Sequence, residues 1–425
     1  MNDGILSFRP ADARLAPSRL GRLVEAFIGR ILTRVIAATC PAAGAAFRPD
    51  AGTAARAKSE IRRILIARFD GIGDIILTVP LLRALKTALP DAEITFVTRT
   101  PFVSLIATCP YIDNLVGVDP PRARNLAGAE YLWPAIRLVR HLLRDRRFDV
   151  AISPRVQAND PFAVLILRLS GAGDRIGFAE LTTSLIGHAG RFGLDRLLTV
   201  AVPHTSVRHE VEHSFSLLRT LDVPPSAPQV ELWPDAGDWA FAETFREAHA
   251  IGDGDLVIAL APGCGDARRT WAEDRYIEVC QRLIARLDAR IVVVGGPEDL
   301  ALAGRIGSAL DGAAAIAVGK ATLRQTAALL GGCRLFIGND SGPMHIAAAM
   351  AVPVVEISCH PMGGDPGHTN SPARFGPWQV PQRTLRPPPG SPRCDDYCRA
   401  QTAHCILGIS TAEVVSAALS LLSRD

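Results

Sequence analysis

The sequence is poor in several things at once. Aromatic residues make up 6% of its 425 residues, and 46 Lys and Arg stand against 43 Asp and Glu, for a net charge of +3. A nucleic-acid surface needs a basic field, and a single-strand platform needs stacking rings; this composition supplies neither. No uncharged apolar run approaches the roughly 20 residues of a bilayer-crossing helix. The opening "MNDGILSFRPADAR" lacks a basic segment followed by an apolar one, so no secretory leader is expected. The nine cysteines are odd in number and scattered, and Cys109, Cys264, Cys280, Cys333 and Cys359 lie in or beside apolar stretches. They read as reduced core thiols in a reducing compartment. Finally, no G-x-G-x-x-G follows the first strand-like run of either half, and no G-x-x-x-x-G-K-[ST] replaces it, which disfavours a nicotinamide oxidoreductase and a P-loop.

What is present is ordinary globular material, 48% hydrophobic and 21% charged, in a chain long enough for two domains. Residues 1–59 read as an N-terminal extension. Within it "RLGRLVEAFIGRILTRVIAA" places Leu20, Leu23, Val24, Phe27, Ile28, Ile31, Leu32, Val35 and Ile36 on one helical face, with Arg19, Arg22, Arg30 and Arg34 elsewhere. Two readings stay open, a helix lying on an anionic membrane surface or one docked on the adjoining domain. From residue 61, strand-like runs at 63–68, 93–99, 114–118 and 148–155 alternate with helical patterns at 79–89 and 133–145. Proline then concentrates in "VPPSAPQVELWPDAG" (223–237), and the alternation restarts with runs at 255–263, 289–296, 313–319, 333–340 and 352–358. A loop-rich tail over 362–408 precedes a last helix at 410–423, opened by the capping pair Ser410 and Glu413. Such alternation predicts an α/β protein of two Rossmann-like domains with parallel sheets, 60–228 and 229–425, facing a cleft.

Three turns at strand ends carry chemistry. "FIGNDSGPMHIAAAM" runs strand, turn, helix; the helix amides and dipole suit a phosphate, Gly342 permits close approach, and Asp340 suits neutral hydroxyls. A plain helix capped by Asp or Ser is the other reading. "LAPGCGDARRTW" puts Arg268 and Arg269 just after a glycine turn, where a guanidinium can grip a diphosphate. "VVVGGPED" ends in Glu298 and Asp299, an acid that either binds a ribose diol or opens a helix. Ahead of these, "RFDGIGDIILTVP" is a glycine turn with two carboxylates. That suits proton abstraction better than phosphate binding; Asp74 is the candidate base, Asp70 its competitor, and a helix N-cap the alternative role for either.

"ILIARFDGIGDIILTVPLLRALKTALPDAEITFVTR", "LAPGCGDARRTW", "VVVGGPED" and "FIGNDSGPMHIAAAMAVPVV" together resemble the motifs of glycosyltransferase family 9, the lipopolysaccharide heptosyltransferases, over about residues 61–425. The resemblance implies a GT-B fold. It implies inverting, metal-independent transfer of a heptose from ADP-heptose to lipopolysaccharide core, at the cytoplasmic face of the inner membrane, without a cofactor. It puts the general base on Asp74, the donor-phosphate cation on Arg269 (where the family more often has Lys), and the Asp-x-Gly turn on Asp340, Ser341 and Gly342. His345 matches a family histidine one turn on, and the ribose acid falls near Glu298. On the acceptor side Arg99 and Arg155 end strands of the first domain and can meet phosphates or carboxylates, or be ordinary surface arginines. A different nucleotide sugar with a polysaccharide or glycolipid acceptor, and a non-catalytic nucleotide-binding protein, are the competing readings. Cys394, Cys398, His404 and Cys405 lie close enough to raise a zinc site, but adjacent His404 and Cys405 suit one tetrahedron poorly, and reduced thiols are expected.

Overall fold

The computed structural model describes residues 5–8, 57–120, 129–143, 146–156, 160–179, 194–204, 206–389 and 400–423. The helix expected around Leu20–Ile36, Cys394 and Cys398 lie outside the described residues.

The chain forms two compact units. The first holds Met1–Asp70, Thr78–Val103 and Cys109–Pro228; the second holds Gly71–Leu77, Ser104–Thr108 and Gln229–Asp425. In chain order the elements are β1 (Ile5–Phe8), β2 (Arg63–Ala67), α1 (Ile72–Ile76), α2 (Val79–Ala88), β3 (Glu93–Arg99), β4 (Asn114–Val118), α3 (Ala129–Leu138), β5 (Val150–Ile152), α4 (Pro161–Leu169), β6 (Asp174–Phe178), β7 (Val200–Val202) and α5 (Glu210–Leu218). The second half continues with α6 (Ala236–Ala248), β8 (Val257–Ala261), α7 (Glu273–Leu287), β9 (Arg290–Val293), α8 (Leu300–Ala309), β10 (Ala314–Ile316), α9 (Leu323–Gly331), β11 (Leu335–Asn339), α10 (Gly342–Ala349), β12 (Val354–Ile357), β13 (Gln382–Leu385) and α11 (Thr411–Leu422).

The first sheet has seven strands in the order β1-β4-β3-β2-β5-β6-β7, and the second has six in the order β10-β9-β8-β11-β12-β13. Every recorded pairing is parallel. Leaving out edge strand β1, both sheets follow the doubly wound Rossmann order, which reverses between β2 and β5 and between β8 and β11. The central strands read "ILIA" and "VIALA" because helices cover both faces and no position meets water. In the first unit Leu65, Val97, Val116 and Ala151 pack with Phe162 and Leu165 of α4. In the second, Leu260, Ile291, Ile337 and Val355 pack with Tyr276 of α7 and Val414 of α11.

Ser410 caps α11 as expected: its Oγ accepts from Glu413 N–H at 3.3 Å, and the Glu413 carboxylate accepts from Ser410 N–H at 2.8 Å. Strands β6 and β7 were not anticipated, and β13 runs through the tail read as loop. Residues 5–8, inside the stretch read as an extension, form the edge strand beside β4.

Candidate active site

The strand order of the second sheet reverses between β8 and β11, and the turns leaving those strands are tied together by Asn339. This residue is wholly buried at the end of β11. Its Nδ2 donates to the Pro262 carbonyl at 2.8 Å, and its Oδ1 accepts from Trp271 N–H at 3.1 Å. The turn between Pro262 and Trp271 is therefore clamped at both ends, and it carries Arg269. One terminal nitrogen of Arg269 donates to both the Asp340 carboxylate and the Asp340 carbonyl, each at 2.7 Å. Its Nε is buried with no acceptor among the described residues. Burial works against the guanidinium charge, but Asp340 and the smaller contributions of Cys264, Cys359 and Asp266 outweigh it, and Arg269 holds its proton above the ordinary arginine value. Its neighbour Arg268 instead turns to Asp266, whose carboxyl is drawn down to about 2, first by that side-chain hydrogen bond.

Immediately beyond Asp340, α10 begins. Ser341 has extended backbone and occupies the cap position, yet its hydroxyl donates to the Asn339 carbonyl at 3.3 Å and does not cap the first-turn amides. The capped-helix alternative is thus not what the side chains do: Asp340 is paired with Arg269, and Ser341 points back along β11.

Against this helix lies α1, which belongs to the same compact unit. Two glycines permit the approach. A Cβ on Gly73 would stand 2.4 Å from the His345 Cδ2, and one on Gly342 would stand 2.8 Å from the Ile72 Cδ1. Asp74, next to Gly73, is the third residue of the five-residue α1, and its Oδ2 accepts from Gly71 N–H at 2.9 Å. So the carboxylate does serve its own helix turn, and at the same time it faces α10 closely enough to act on His345. Burial lowers the His345 pKa most, while Asp340 and Asp74 pull it back up. Asp74, Arg269, Asp340, Ser341, Gly342 and His345 therefore all belong to one unit and converge around the start of α10.

At the third turn the two acids stand differently. Glu298 is exposed, its carboxylate lying where a Gly296 Cβ would stand. The acid that fills the space against both strand-end glycines is Asp299: Cβ atoms on Gly263 and Gly295 would come within 2.1 and 2.7 Å of its carboxylate. Burial raises the Asp299 pKa, and the Gly296 N–H donates to it at 3.2 Å.

Arg99 and Arg155 lie in the first unit. Arg155 reaches the Asp70 carboxylate, whose other oxygen is 2.8 Å from the Nε of Arg68. Arg68 is 3% exposed and also donates to the Pro154 carbonyl at 2.7 Å. Asp70 is thereby committed to two arginines where the first sheet reverses, a structural role at odds with that of a competing base. Arg99, at the end of β3, lies 5.4 Å over the Phe102 ring and has no carboxylate partner among the described residues.

Two residues were missed. Asn339 hides in the sequence as the last residue of an apolar strand; only its buried amide reveals the clamp. Glu356 is a wholly buried acid in "VVEI", and a charge inside so apolar a run was the available signal. Of the four residues weighed against a zinc site, His404 and Cys405 lie among the described residues, with His404 Nδ1 and Cys405 Sγ 2.9 Å apart. Among the described residues no group of three or more His, Cys, Asp or Glu is arranged to hold a metal, and no helix is long and apolar enough to cross a membrane.

The model of glycosyltransferase family 9 (heptosyltransferase) matches residues 136–388. Lipopolysaccharide heptosyltransferase 3 of Escherichia coli is 27% identical over 288 residues, 67% of this chain and 80% of that protein. The lipopolysaccharide core heptosyltransferase OpsX of Haemophilus influenzae is 21% identical over 299 residues, covering 70% and 78%. Among solved structures, a family 9 glycosyltransferase from Veillonella parvula superposes with a TM-score of 0.70 at 23% identity, covering 86% of this chain and 98% of that one. The Escherichia coli heptosyltransferase WaaC, solved with ADP, gives 0.63 at 18% identity, covering 84% and 99%. With its two doubly wound sheets and this match over more than half its length, the chain belongs to glycosyltransferase family 9 and is a glycosyltransferase of GT-B fold.

Proposed function

We propose that the protein transfers a heptose from ADP-heptose to a lipopolysaccharide core acceptor, with inversion and without a metal ion. It would work at the cytoplasmic face of the inner membrane, with peripheral contact through the stretch 1–59. The observation that carries the reading is the grouping around α10: a half-buried arginine whose inner Nε has no acceptor among the described residues, a helix start without a side-chain cap, and an acid packed beside them through Gly73. A departing nucleoside diphosphate needs positive charge, and Arg269 with the α10 amides supplies it in a fixed, partly desolvated place. The Asp340 carboxylate, between them, suits hydroxyls of the sugar. The acid against Gly263 and Gly295 (Asp299, with Glu298 outside it) is the ribose-diol candidate. Two relatives bear the names of lipopolysaccharide heptosyltransferases, and a solved WaaC holds ADP-2-deoxy-2-fluoro heptose, which favours ADP-heptose over other donors for this chain.

The chemistry follows from charge and proton balance. The acceptor hydroxyl loses its proton to the Asp74 carboxylate as its oxygen attacks the anomeric carbon, opposite the bond to the diphosphate. That bond breaks with its electron pair going to ADP, so one displacement inverts the centre. Asp70, held by Arg68 and Arg155, is not needed for this step. Those arginines and Arg99 give the first sheet's carboxyl edge a positive balance suited to an anionic acceptor.

The decisive experiment pairs turnover with binding. Asp74→Asn is expected to lower kcat by about 10²–10⁴-fold, the usual worth of a general base, while ADP titrated calorimetrically in chelator binds as it does to the native protein. Unchanged turnover would remove Asp74 from the mechanism; absence of ADP binding in the native protein would remove the donor assignment.

A further inference from the structure

One buried ionisable group near the nucleotide site has no part in the mechanism above. Glu356 sits in the middle of β12, in register with Gly338 of β11 on one side and Thr384 of β13 on the other. Its neighbours Val355 and Ile357 belong to the core packed against α11, so the alternation of a strand sends Glu356 to the opposite face. It is 1% exposed. The Thr384 hydroxyl donates to its Oε2 at 2.8 Å, and the Ser358 hydroxyl also bonds the carboxyl. Beyond Thr384, Arg386 donates from Nε to the His360 carbonyl at 3.1 Å and from a terminal nitrogen to the Pro361 carbonyl. A connected set of polar groups thus runs from the middle of β12 to the loop that leaves it.

The surrounding charges can be named element by element. From β11 comes Asp340, like-charged, and from the β13 side comes Arg386, opposite-charged and already engaged by the two carbonyls. On α10 the titratable residue is His345, and on the loop leaving β12 they are Cys359 and His360; burial lowers both histidine pKa values and pushes the Cys359 thiol up to about 12. The α11 residues in the core are Val414, Val415, Ala417, Ala418 and Leu421, which are uncharged. Burial, then the Asp340 charge, push the Glu356 carboxyl up to about 8; the two hydroxyls and Arg386 only partly oppose them. Around neutral pH the group is a neutral acid, and it becomes a carboxylate as the pH rises through that value.

We propose that Glu356 is a positioning residue of the nucleotide site: bonded to Thr384 and Ser358 beside Asp340, it keeps the Ser358–Pro361 loop ready for a nucleoside diphosphate as a neutral acid, and as a carboxylate it opposes that ligand. The proposal rests on the donor reading given above. The physical reason is charge. A nucleoside diphosphate is a polyanion, and a second carboxylate beside Asp340 subtracts from the field that Arg269 and the α10 amides provide. Bound ligand in turn makes ionisation of Glu356 harder. A rise of about one pKa unit on binding corresponds to about a tenfold fall in affinity across the titration.

The test is ADP affinity measured by calorimetry from pH 7 to 9.5, with ADP already fully ionised over most of the range. The native protein is expected to lose up to about tenfold on the alkaline side. Glu356→Gln, neutral at every pH, is expected to hold its neutral-pH affinity throughout. Should Glu356→Gln fold poorly, Thr384→Val serves: removing a donor to the carboxylate should move the midpoint to higher pH. A flat native profile, an identical fall in Glu356→Gln, or an unmoved midpoint in Thr384→Val would overturn the assignment. Native protein that binds no ADP at any pH would instead strike the donor reading itself.

Discussion

The strand orders of the two sheets reverse at equivalent places, and each place carries an arginine–aspartate pair, but the balance is opposite. In the first unit one acid, Asp70, is shared by Arg68 and Arg155, with Arg99 nearby on the next strand. In the second, one arginine, Arg269, answers to Asp340, with Glu356 behind it. The first edge is positive by side-chain count. The second is neutral or slightly negative and draws its positive field from the start of α10 and from Arg269. The same topology therefore yields two differently charged edges. A Rossmann sheet supplies the place, and the residues at the strand ends set the sign.

Breaking each pair should measure the difference. Asp70→Ala leaves Arg68 buried without its carboxylate and should cost about 3–5 kcal/mol in urea unfolding. Asp340→Ala strands the more accessible Arg269, at 27% side-chain exposure, and should cost only about 1–3 kcal/mol. Equal losses would mean that the two pairs are not differently built. Next in size is Gly73→Ala. Its methyl would stand 2.6 Å from the His345 Nε2, so α1 and α10 must part, at about 1–3 kcal/mol and with loss of turnover. Gly71→Ala is its control, since that Cβ would meet only the Asp74 Oδ2 at an ordinary 3.4 Å. Similar melting points for the two variants would remove the close packing from the account. The smallest effect is expected for Arg99→Ala. Its guanidinium rests on Phe102 without a carboxylate partner among the described residues, so stability should change by about 0.5 kcal/mol or less. The KM for the acceptor should rise several-fold while that for the donor stays put. A change in donor KM would move Arg99 to the other half of the reaction.

Much of the frame is legible in the sequence because buried parallel strands must be apolar throughout, and helices between them must carry caps. The runs at 63–68 and 255–263 became β2 and β8, and Ser410 with Glu413 opened α11 as the pattern requires. β7 was missed: it has three residues, as β5 and β10 do, but those two lie within the longer runs 148–155 and 313–319. β13, "QRTL", is an edge strand with polar side chains and so lacks the apolar signature altogether. At the site, Asp74, Arg269 and Asp340 stood out by type and by their place at strand ends, and His345 only through the resemblance to the family. Glu298 and Asp299 could not be told apart, because the choice depends on Gly263, which comes from another strand.

By itself the sequence determined two doubly wound sheets and the chemical kinds available at their carboxyl ends, since hydrophobic period and turn chemistry are local properties. Only the tertiary structure decided that the turn of Asp74 packs with α10, that Asp70 is spent on two arginines, and that Glu356 lies buried behind Asp340. Each of those outcomes depends on where a distant backbone leaves room for a side chain or brings a charge near it, and no stretch of sequence records that distance.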